Sequence, residues 1–217
     1  MKVSAIVPAL NEEKNIANVL KVLLNSKALS EVILVDGGSK DKTAEIGKAM
    51  GAKVLKVKGG GKGYGMLKGA EISKSPVIVF FDADLVGLKE KHILQLISPV
   101  VEDDADMVVG IRERWAGLPL FFAKIDPLLA IGGERALKRS IFLSLPKNLI
   151  KGFAVETTLN FFCLKKKLRV KYVELKGLNI ITKERKQWVL KGLKNRFKMI
   201  WEMLKIRFLI LININKF

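Results

Sequence analysis

The stretch Val77-Ile78-Val79-Phe80-Phe81-Asp82-Ala83-Asp84-Leu85 decides how this 217-residue chain reads. Five apolar residues, β-branched or aromatic, run straight into two carboxylates one residue apart. A continuous apolar run of this length marks a strand buried on both faces, as in a parallel sheet. The acids fall where that strand leaves the sheet, and open α/β sheets bind ligands at the carboxyl ends of their strands. Two hard oxygen donors there suit Mg²⁺ or Mn²⁺, ions that join carboxylates to phosphate oxygens. The alternative is that Asp82 and Asp84 only cap the loop and helix that follow.

Working outward, strands and helices alternate. Val3 to Val7 reads as a first strand ending at Pro8-Ala9-Leu10-Asn11-Glu12-Glu13. Asn11 is the expected helix cap, and Glu12 and Glu13 suit the positive helix end. Ile16, Val19, Leu20, Leu23 and Leu24 recur at helical spacing. A second strand, Glu31 to Val35, ends at Asp36-Gly37-Gly38-Ser39-Lys40-Asp41-Lys42-Thr43. Ser39 or Asp41 is expected to cap a helix over residues 43–50, which Gly51 stops. Ala52 to Val57 is a third strand. Lys58-Gly59-Gly60-Gly61-Lys62-Gly63-Tyr64-Gly65 lacks the Lys-Ser/Thr of a P-loop and does not follow the first strand as a dinucleotide fingerprint would. It is read as a mobile cover offering N–H groups and one ammonium to an anion, or else as a linker. A short helix over residues 66–73 leads to the Asp-Ala-Asp strand. Residues 89–101 read as a helix with Ile93, Leu94, Ile97 and Val100 inward and His92 on the solvent side. Asp106 to Gly110 is a fifth strand. This order predicts a mostly parallel sheet with helices on both faces.

The second half differs in charge. The chain has 39 basic and 21 acidic residues; 15 and 14 of these lie in residues 1–110, leaving 24 and 7 in residues 111–217. An excess on one half points to an anionic partner. Nucleic acid is not the partner expected, because aromatics are only 7% of the chain and no aromatic platform accompanies the charge. Arg112-Glu113-Arg114-Trp115 follows a strand end, and Gly132-Gly133-Glu134-Arg135-Ala136-Leu137 reads as a glycine turn into a basic helix. Glu156 lies in an apolar segment, where an acid must be paired, metal-linked or working, or else capping a helix start. Residues 169–175 form a last strand. From residue 184 the chain reads as one basic amphipathic helix with Trp188 and Trp201, suited to a membrane surface. The alternative docks that helix on the domain or on a second copy, as a homodimer. Cys163, the single cysteine, is read as core, in keeping with a reducing, cytoplasmic setting. No signal peptide is visible, and no run of 18 apolar residues exists to span a bilayer. The organisation expected is a subdomain over 1–110, a second over 111–183 and the helix over 184–217.

Four stretches together resemble the family 2 glycosyltransferases of the GT-A fold: Ile6-Val7-Pro8-Ala9-Leu10-Asn11-Glu12-Glu13, Ile33 through Thr43, Gly61-Lys62-Gly63 and Phe81-Asp82-Ala83-Asp84. They stand in the family's order and at its intervals. Gly132-Gly133-Glu134-Arg135 and Phe153-Ala154-Val155-Glu156 resemble the polyprenyl-phosphate and glucosyl-3-phosphoglycerate branches more loosely.

The resemblance implies a metal-dependent hexosyltransferase using a UDP- or GDP-sugar. It implies that Pro8, Ala9 and Glu12 line the nucleotide pocket, that Asp36 accepts from the base, that Lys62 lies on the nucleotide or its phosphates, and that Asp82 and Asp84 hold Mg²⁺ or Mn²⁺ on the diphosphate, Asp84 with a catalytic role. Glu156 is the candidate general base or acceptor-orienting group. Arg112, Arg114, Arg135 and Arg139 are the candidates to bind an anionic acceptor, since guanidinium matches phosphate bidentately. The acceptor expected is polyprenyl phosphate, with inversion, the enzyme lying peripherally on the inner face of the membrane; the alternative is a soluble phosphorylated acceptor. A non-catalytic nucleotide- or nucleic-acid-binding protein is the reading from another class. Related sequences often carry a histidine after the last strand where this chain has Gly177-Leu178-Asn179, so a third metal ligand is left open.

Overall fold

Period-two alternation in the strands sets the layers of the protein. The structure, a computed structural model, describes residues 1–112, 133–147, 150 and 154–180. In β1 (Val3–Ala9), Val3, Ala5 and Val7 face one way, joining Val77 and Val79 of β4 (Val77–Phe80). They pack with Ile16, Val19, Leu20 and Leu23 of α1 (Ile16–Asn25) and with Ile93, Leu96 and Val100 of α4 (Glu90–Val101). Ile6, Ile78 and Phe80 face the other way. They meet Met66 and Ala70 of α3 (Gly61–Ile72), Phe142 of α5 (Arg139–Leu143) and Leu159 of α6 (Ala154–Lys165). Each such Val, Leu, Ile, Phe or Met side chain removed from water contributes about 1.5–3 kcal/mol. The two-sided burial is why the central strands read as unbroken apolar runs.

The remaining strands are β2 (Glu31–Asp36), β3 (Lys53–Lys56), β6 (Met107–Arg112), β7 (Arg135–Lys138) and β8 (Val170–Leu175). The seven-stranded sheet runs β3-β2-β1-β4-β7-β6-β8. Pairing is parallel throughout except at β7, which is antiparallel to both β4 and β6. The expected mostly parallel α/β sheet is present, and strands from both sides of residue 110 share it. Residues 135–138, expected to open a basic helix, form strand β7 instead, with only the short α5 after it. Buried Arg135, Ala136 and Leu137 bridge the gap between β4 and β6. At the end of β6 away from the acids, Lys138 and Arg169 both grip Asp106, at 2.9 and 3.0 Å. Strand order reverses at β1: β2 and β3 are added on one side of it and the parallel β4 on the other, which leaves a crevice at the carboxyl ends of β1 and β4. Among the described residues, no helix is long and apolar enough to cross a membrane. The expected basic helix over 184–217 lies outside the described residues.

Several local expectations give way to packing. The glycine-rich segment is not a loose cover: residues 61–65 are the first turn of α3, not a prelude to a helix at residue 66. Glycine costs helix stability in isolation, but here it lets the helix lie directly on β1. A Cβ on Gly69 would stand 2.4 Å from Ile6 Cγ2. Asn11 is not a helix cap; it takes a left-handed backbone (φ 54) and α1 begins at Ile16. Within α4, Leu94 is 42% exposed while Leu96 and His92 are both 0% exposed. Positions 92, 96 and 100 share one helical face, so His92 goes inward despite its charged neighbours Lys89, Glu90 and Lys91. Its Nδ1 accepts the Lys89 N–H at 3.2 Å, so the ring proton sits on Nε2, which donates to the Lys176 carbonyl at 3.0 Å. That bond pins the turn before β9 (Asn179–Ile180), which pairs with β5 (Leu85–Val86) directly after Asp84.

Candidate active site

The carboxyl ends of β1, β2 and β4 open onto one cleft of about 540 Å³. Pro8, Ala9, Leu10 and Glu12 line it from β1 and its loop, Val35 and Gly37 from β2, Gly61, Lys62 and Gly65 from α3, and Asp82, Ala83 and Asp84 from β4. Arg112 at the end of β6, Gly133, Glu156 in the first turn of α6 and Ile180 complete the wall.

The two motif loops are stitched together by side chains bonding backbone. Ser39 Oγ accepts the Asn11 N–H, and Asn11 Oδ1 accepts the Lys40 N–H, both at 2.9 Å. Thr43 Oγ1 accepts the Glu12 N–H at 2.8 Å, and Asp41 Oδ2 the Glu13 N–H at 3.1 Å. Neither Ser39 nor Asp41 is the helix cap expected: the cap position of α2 (Thr43–Ala49) is Lys42, Asp41 accepts the Thr43 N–H from one residue before it, and Ser39 is engaged with Asn11. Much of the Pro8–Glu13 and Asp36–Thr43 pattern therefore builds the loop that presents Glu12.

At the centre, Lys62 Nζ lies 2.6 Å from Asp82 Oδ1 and 2.9 Å from Glu156 Oε1. Burial favours the neutral amine, but the charges of Asp82 and Glu156 outweigh it and hold the Lys62 pKa above the ordinary lysine value. Arg112 Nη1 stands 3.7 Å from Asp82 Oδ2 and 3.3 Å from Glu134 Oε1. Asp84 is shifted upward by burial and by the charges of Asp82 and Glu12. Glu134, fully buried, is pushed up to about 7 by burial and by Asp82, against the pull of Arg112 and Lys62. Gly133 presses its backbone onto Asp82: a Cβ there would fall 2.4 Å from Asp82 Oδ2.

The structure thus gathers Pro8, Ala9, Glu12, Lys62, Asp82, Asp84, Arg112 and Glu156 around one space. Asp36 sits between two lining residues with its carboxylate buried, accepting the Ser39 N–H at 3.1 Å. Arg135 and Arg139, expected to bind acceptor, are not at the cleft. Arg135 is buried beneath it, its Nη1 donating to Asn160 Oδ1 at 3.2 Å and to the Glu156 carbonyl at 3.4 Å. Arg139 donates to the Ala70 and Glu71 carbonyls at the end of α3. Arg114 lies outside the described residues. In the sequence, Gly133 and Glu134 have a place in a glycine turn and in the looser family resemblance but no role at the site, and Ile180 is not singled out. The signal for the first two was present: an acid directly after Gly-Gly and before a strand whose first residue is an arginine.

Asp82 and Asp84 could hold a divalent cation. Among the described residues no three His, Cys, Asp or Glu side chains form a closed cage. The donor set fits an ion that keeps water and phosphate oxygens in its other positions. The upward shift of Asp84 comes first from burial and then from the negative charges of Asp82 and Glu12, and a cation would relieve that crowding of charge.

Comparison with known proteins bears on this arrangement. The sequence model described as glycosyl transferase family 2 matches residues 4–158, a span that contains every cleft element but β9. The chain belongs to glycosyl transferase family 2. Among its family 2 relatives, the 4,4'-diaponeurosporenoate glycosyltransferase of Staphylococcus haemolyticus is 41% identical over 102 residues, 44% of this chain and 27% of that protein. The glucosyl-3-phosphoglycerate synthase of Mycolicibacterium smegmatis is 27% identical over 187 residues, 71% of this chain and 61% of that one. The chain spans between 27% and 61% of the length of these curated relatives. The Mycobacterium tuberculosis glucosyl-3-phosphoglycerate synthase, crystallised with Mn²⁺, uridine diphosphate and phosphoglyceric acid, superposes with TM-score 0.77 at 23% identity, covering 94% of this chain and 77% of that one. That likeness establishes the GT-A fold for this family 2 member.

Proposed function

We propose that the chain transfers a hexose from a UDP- or GDP-sugar to an anionic acceptor, with Mg²⁺ or Mn²⁺ held at Asp82 and Asp84. The observation that carries this reading is the meeting of two acids, a lysine and an arginine at the carboxyl end of the central strand. Their shared cleft has the size of a small-molecule site.

In this reading Pro8, Ala9 and Glu12 bound the nucleoside, and the second carboxylate oxygen of Asp36 takes a hydrogen bond from the base. When bound, the cation supplies positive charge against which the leaving diphosphate develops its own. Lys62 leaves its two carboxylates to reach diphosphate oxygens, which frees Asp82 for the cation. Arg112 holds a phosphate-type oxyanion. Glu156 then orients a hydroxyl acceptor and takes its proton; a phosphate acceptor needs no base. The displacement is single, so the sugar inverts.

Polyprenyl phosphate is the acceptor proposed first, from the basic second half and the amphipathic pattern of residues 184–217. The same pattern supports a peripheral position on the inner membrane face. A soluble phosphorylated acceptor is the second reading, favoured by the relative named for 3-phosphoglycerate, which aligns with 71% of the chain. The test is a thermal-shift screen of UDP and GDP with and without Mn²⁺. Labelled UDP- and GDP-sugars are then incubated with polyprenyl-phosphate vesicles or with 3-phosphoglycerate. A rise in melting midpoint with one nucleotide plus Mn²⁺, and label in the lipid phase, are expected. No shift with either nucleotide sinks the proposal; product with only the soluble acceptor decides for the second reading.

A further inference from the structure

We infer that Glu134 is a positioning residue that fixes the guanidinium of Arg112 to receive a phosphate oxyanion; this rests on the transferase reading above. Arg112 is the last residue of β6, where an arginine side chain has many rotamers to lose. Glu134 stands on the neighbouring chain just before β7, and its backbone carbonyl accepts the Gly110 N–H at 2.8 Å, which locks it beside β6. Its carboxyl is wholly buried and does not line the cleft; among the described residues its hydrogen-bond partner there is Arg112 Nη1, at 3.3 Å. The same Nη1 faces Asp82 Oδ2 at 3.7 Å. One edge of the guanidinium is thus tied down, and its remaining N–H groups have no partner among the described residues. A planar fork held in this way presents parallel donors to an oxyanion with little ordering cost at binding. Glu134 Oε2 has no hydrogen-bond partner among the described residues. A buried carboxylate oxygen left so is a standing cost to stability, so its retention calls for a gain elsewhere, and the arginine it holds is the group that gains.

Donor diphosphate and acceptor phosphate share this chemistry, and the experiment separates them. Glu134→Leu replaces the acid with an apolar side chain of similar bulk; removing one partner of a buried ion pair costs stability, but Arg112 keeps Asp82 Oδ2 at 3.7 Å as a counter-charge. Glu134→Met is made alongside it, and Glu134→Gln keeps the acceptor oxygen. Arg112→Ala and the double variant close a thermodynamic cycle. Affinities are measured by calorimetry for inorganic pyrophosphate, for UDP and GDP with Mn²⁺, and for 3-phosphoglycerate, with melting midpoints taken in parallel. Glu134→Leu is expected to weaken phosphate binding about tenfold in protein that still melts in one cooperative transition, at a lower midpoint than the parent. Glu134→Gln is expected to stay within about threefold of the parent, and the double variant to bind no worse than Arg112→Ala alone. Coupling in the nucleotide arm assigns Arg112 to the donor; coupling in the 3-phosphoglycerate arm assigns it to the acceptor. Losses that simply multiply in every arm overturn the inference. Binding of pyrophosphate without either nucleotide would remove the donor reading while leaving the Glu134–Arg112 cycle intact, and binding of neither removes both.

Discussion

Lys62 and Glu156 lie 94 positions apart in the chain and meet at 2.9 Å, with Asp82 on the other side of the same ammonium. One cation therefore holds the acid of the central strand and the acid of α6 in a single arrangement. Removing it leaves two carboxylates facing the same cleft.

Lys62→Met is accordingly expected to cost both function and stability. Loss of one preorganised charge at a developing oxyanion lowers turnover by about 100- to 1000-fold. The melting midpoint should fall as well, since Glu156 is almost wholly buried and loses its ion pair. Steady-state sugar transfer and a melting curve measure the two effects. Turnover within about twofold of the parent would show that Lys62 is only a structural clamp.

Asp84→Asn separates metal binding from folding. The Asp84 carboxylate is disfavoured by burial and by Asp82 and Glu12, so a neutral amide relieves repulsion. Without ligand, the melting midpoint should stay level or rise. The added stabilisation by Mn²⁺ together with UDP or GDP should disappear, because one oxygen donor of the pair has lost its charge. A variant that melts lower alone yet keeps the Mn²⁺ response would place the cation elsewhere.

How much of this was legible in the sequence depends on the distance between partners. The strand at residues 77–80 follows from its unbroken apolar run and the buried face of α1 from helical spacing; both stand, with Leu24 at the edge of that face and only partly buried. The position of Asp82 and Asp84 follows from the strand's end. What the chain order hides is pairing across the sheet. Glu134-Arg135 reads as turn and surface until β7 is slotted between β4 and β6, which turns Arg135 into a buried brace under Glu156. Arg139 looks available until α3 ends beside it with open carbonyls. The glycines at residues 59–65 spell flexibility locally, but the contact of α3 with β1 makes Gly61, Gly63 and Gly65 helical. His92 is the instructive miss. Three charged neighbours suggested solvent, whereas the face shared with Leu96 and Val100 pointed inward.

Gly69→Ala tests the close seating of α3. The new methyl would stand 2.4 Å from Ile6 Cγ2 and 3.1 Å from Val35 Cγ2, both in the packed core. Helix propensity alone would favour alanine by about 1 kcal/mol. Overpacking a rigid core costs about 1–3 kcal/mol, so net destabilisation is expected. Because α3 also carries Lys62, nucleotide affinity should fall together with the urea midpoint. An alanine variant more stable than the parent would mean that the helix can lift from β1 without penalty.

The buried histidine gives a pH signature with a definite sign. Burial lowers the His92 pKa below its ordinary value of 6.5, where the unfolded chain keeps it. As pH falls through about 6.5, the unfolded state takes up a proton that the folded state refuses. Stability from this group is therefore complete above about pH 6.5 and is lost progressively toward the lower folded value. Protonation in place would also end acceptance of the Lys89 N–H by Nδ1 and so free the first turn of α4. Glutamine at this helix position can accept that same N–H, as in a capping box, and carries no titrating proton. His92→Gln should thus be less stable than the parent at pH 8, with the gap narrowing between pH 7 and 5 by up to about 1.4 kcal/mol per unit. Urea unfolding of both proteins at half-unit intervals gives the comparison. Parallel profiles across that range would show that His92 titrates alike in both states and is not sealed in the core.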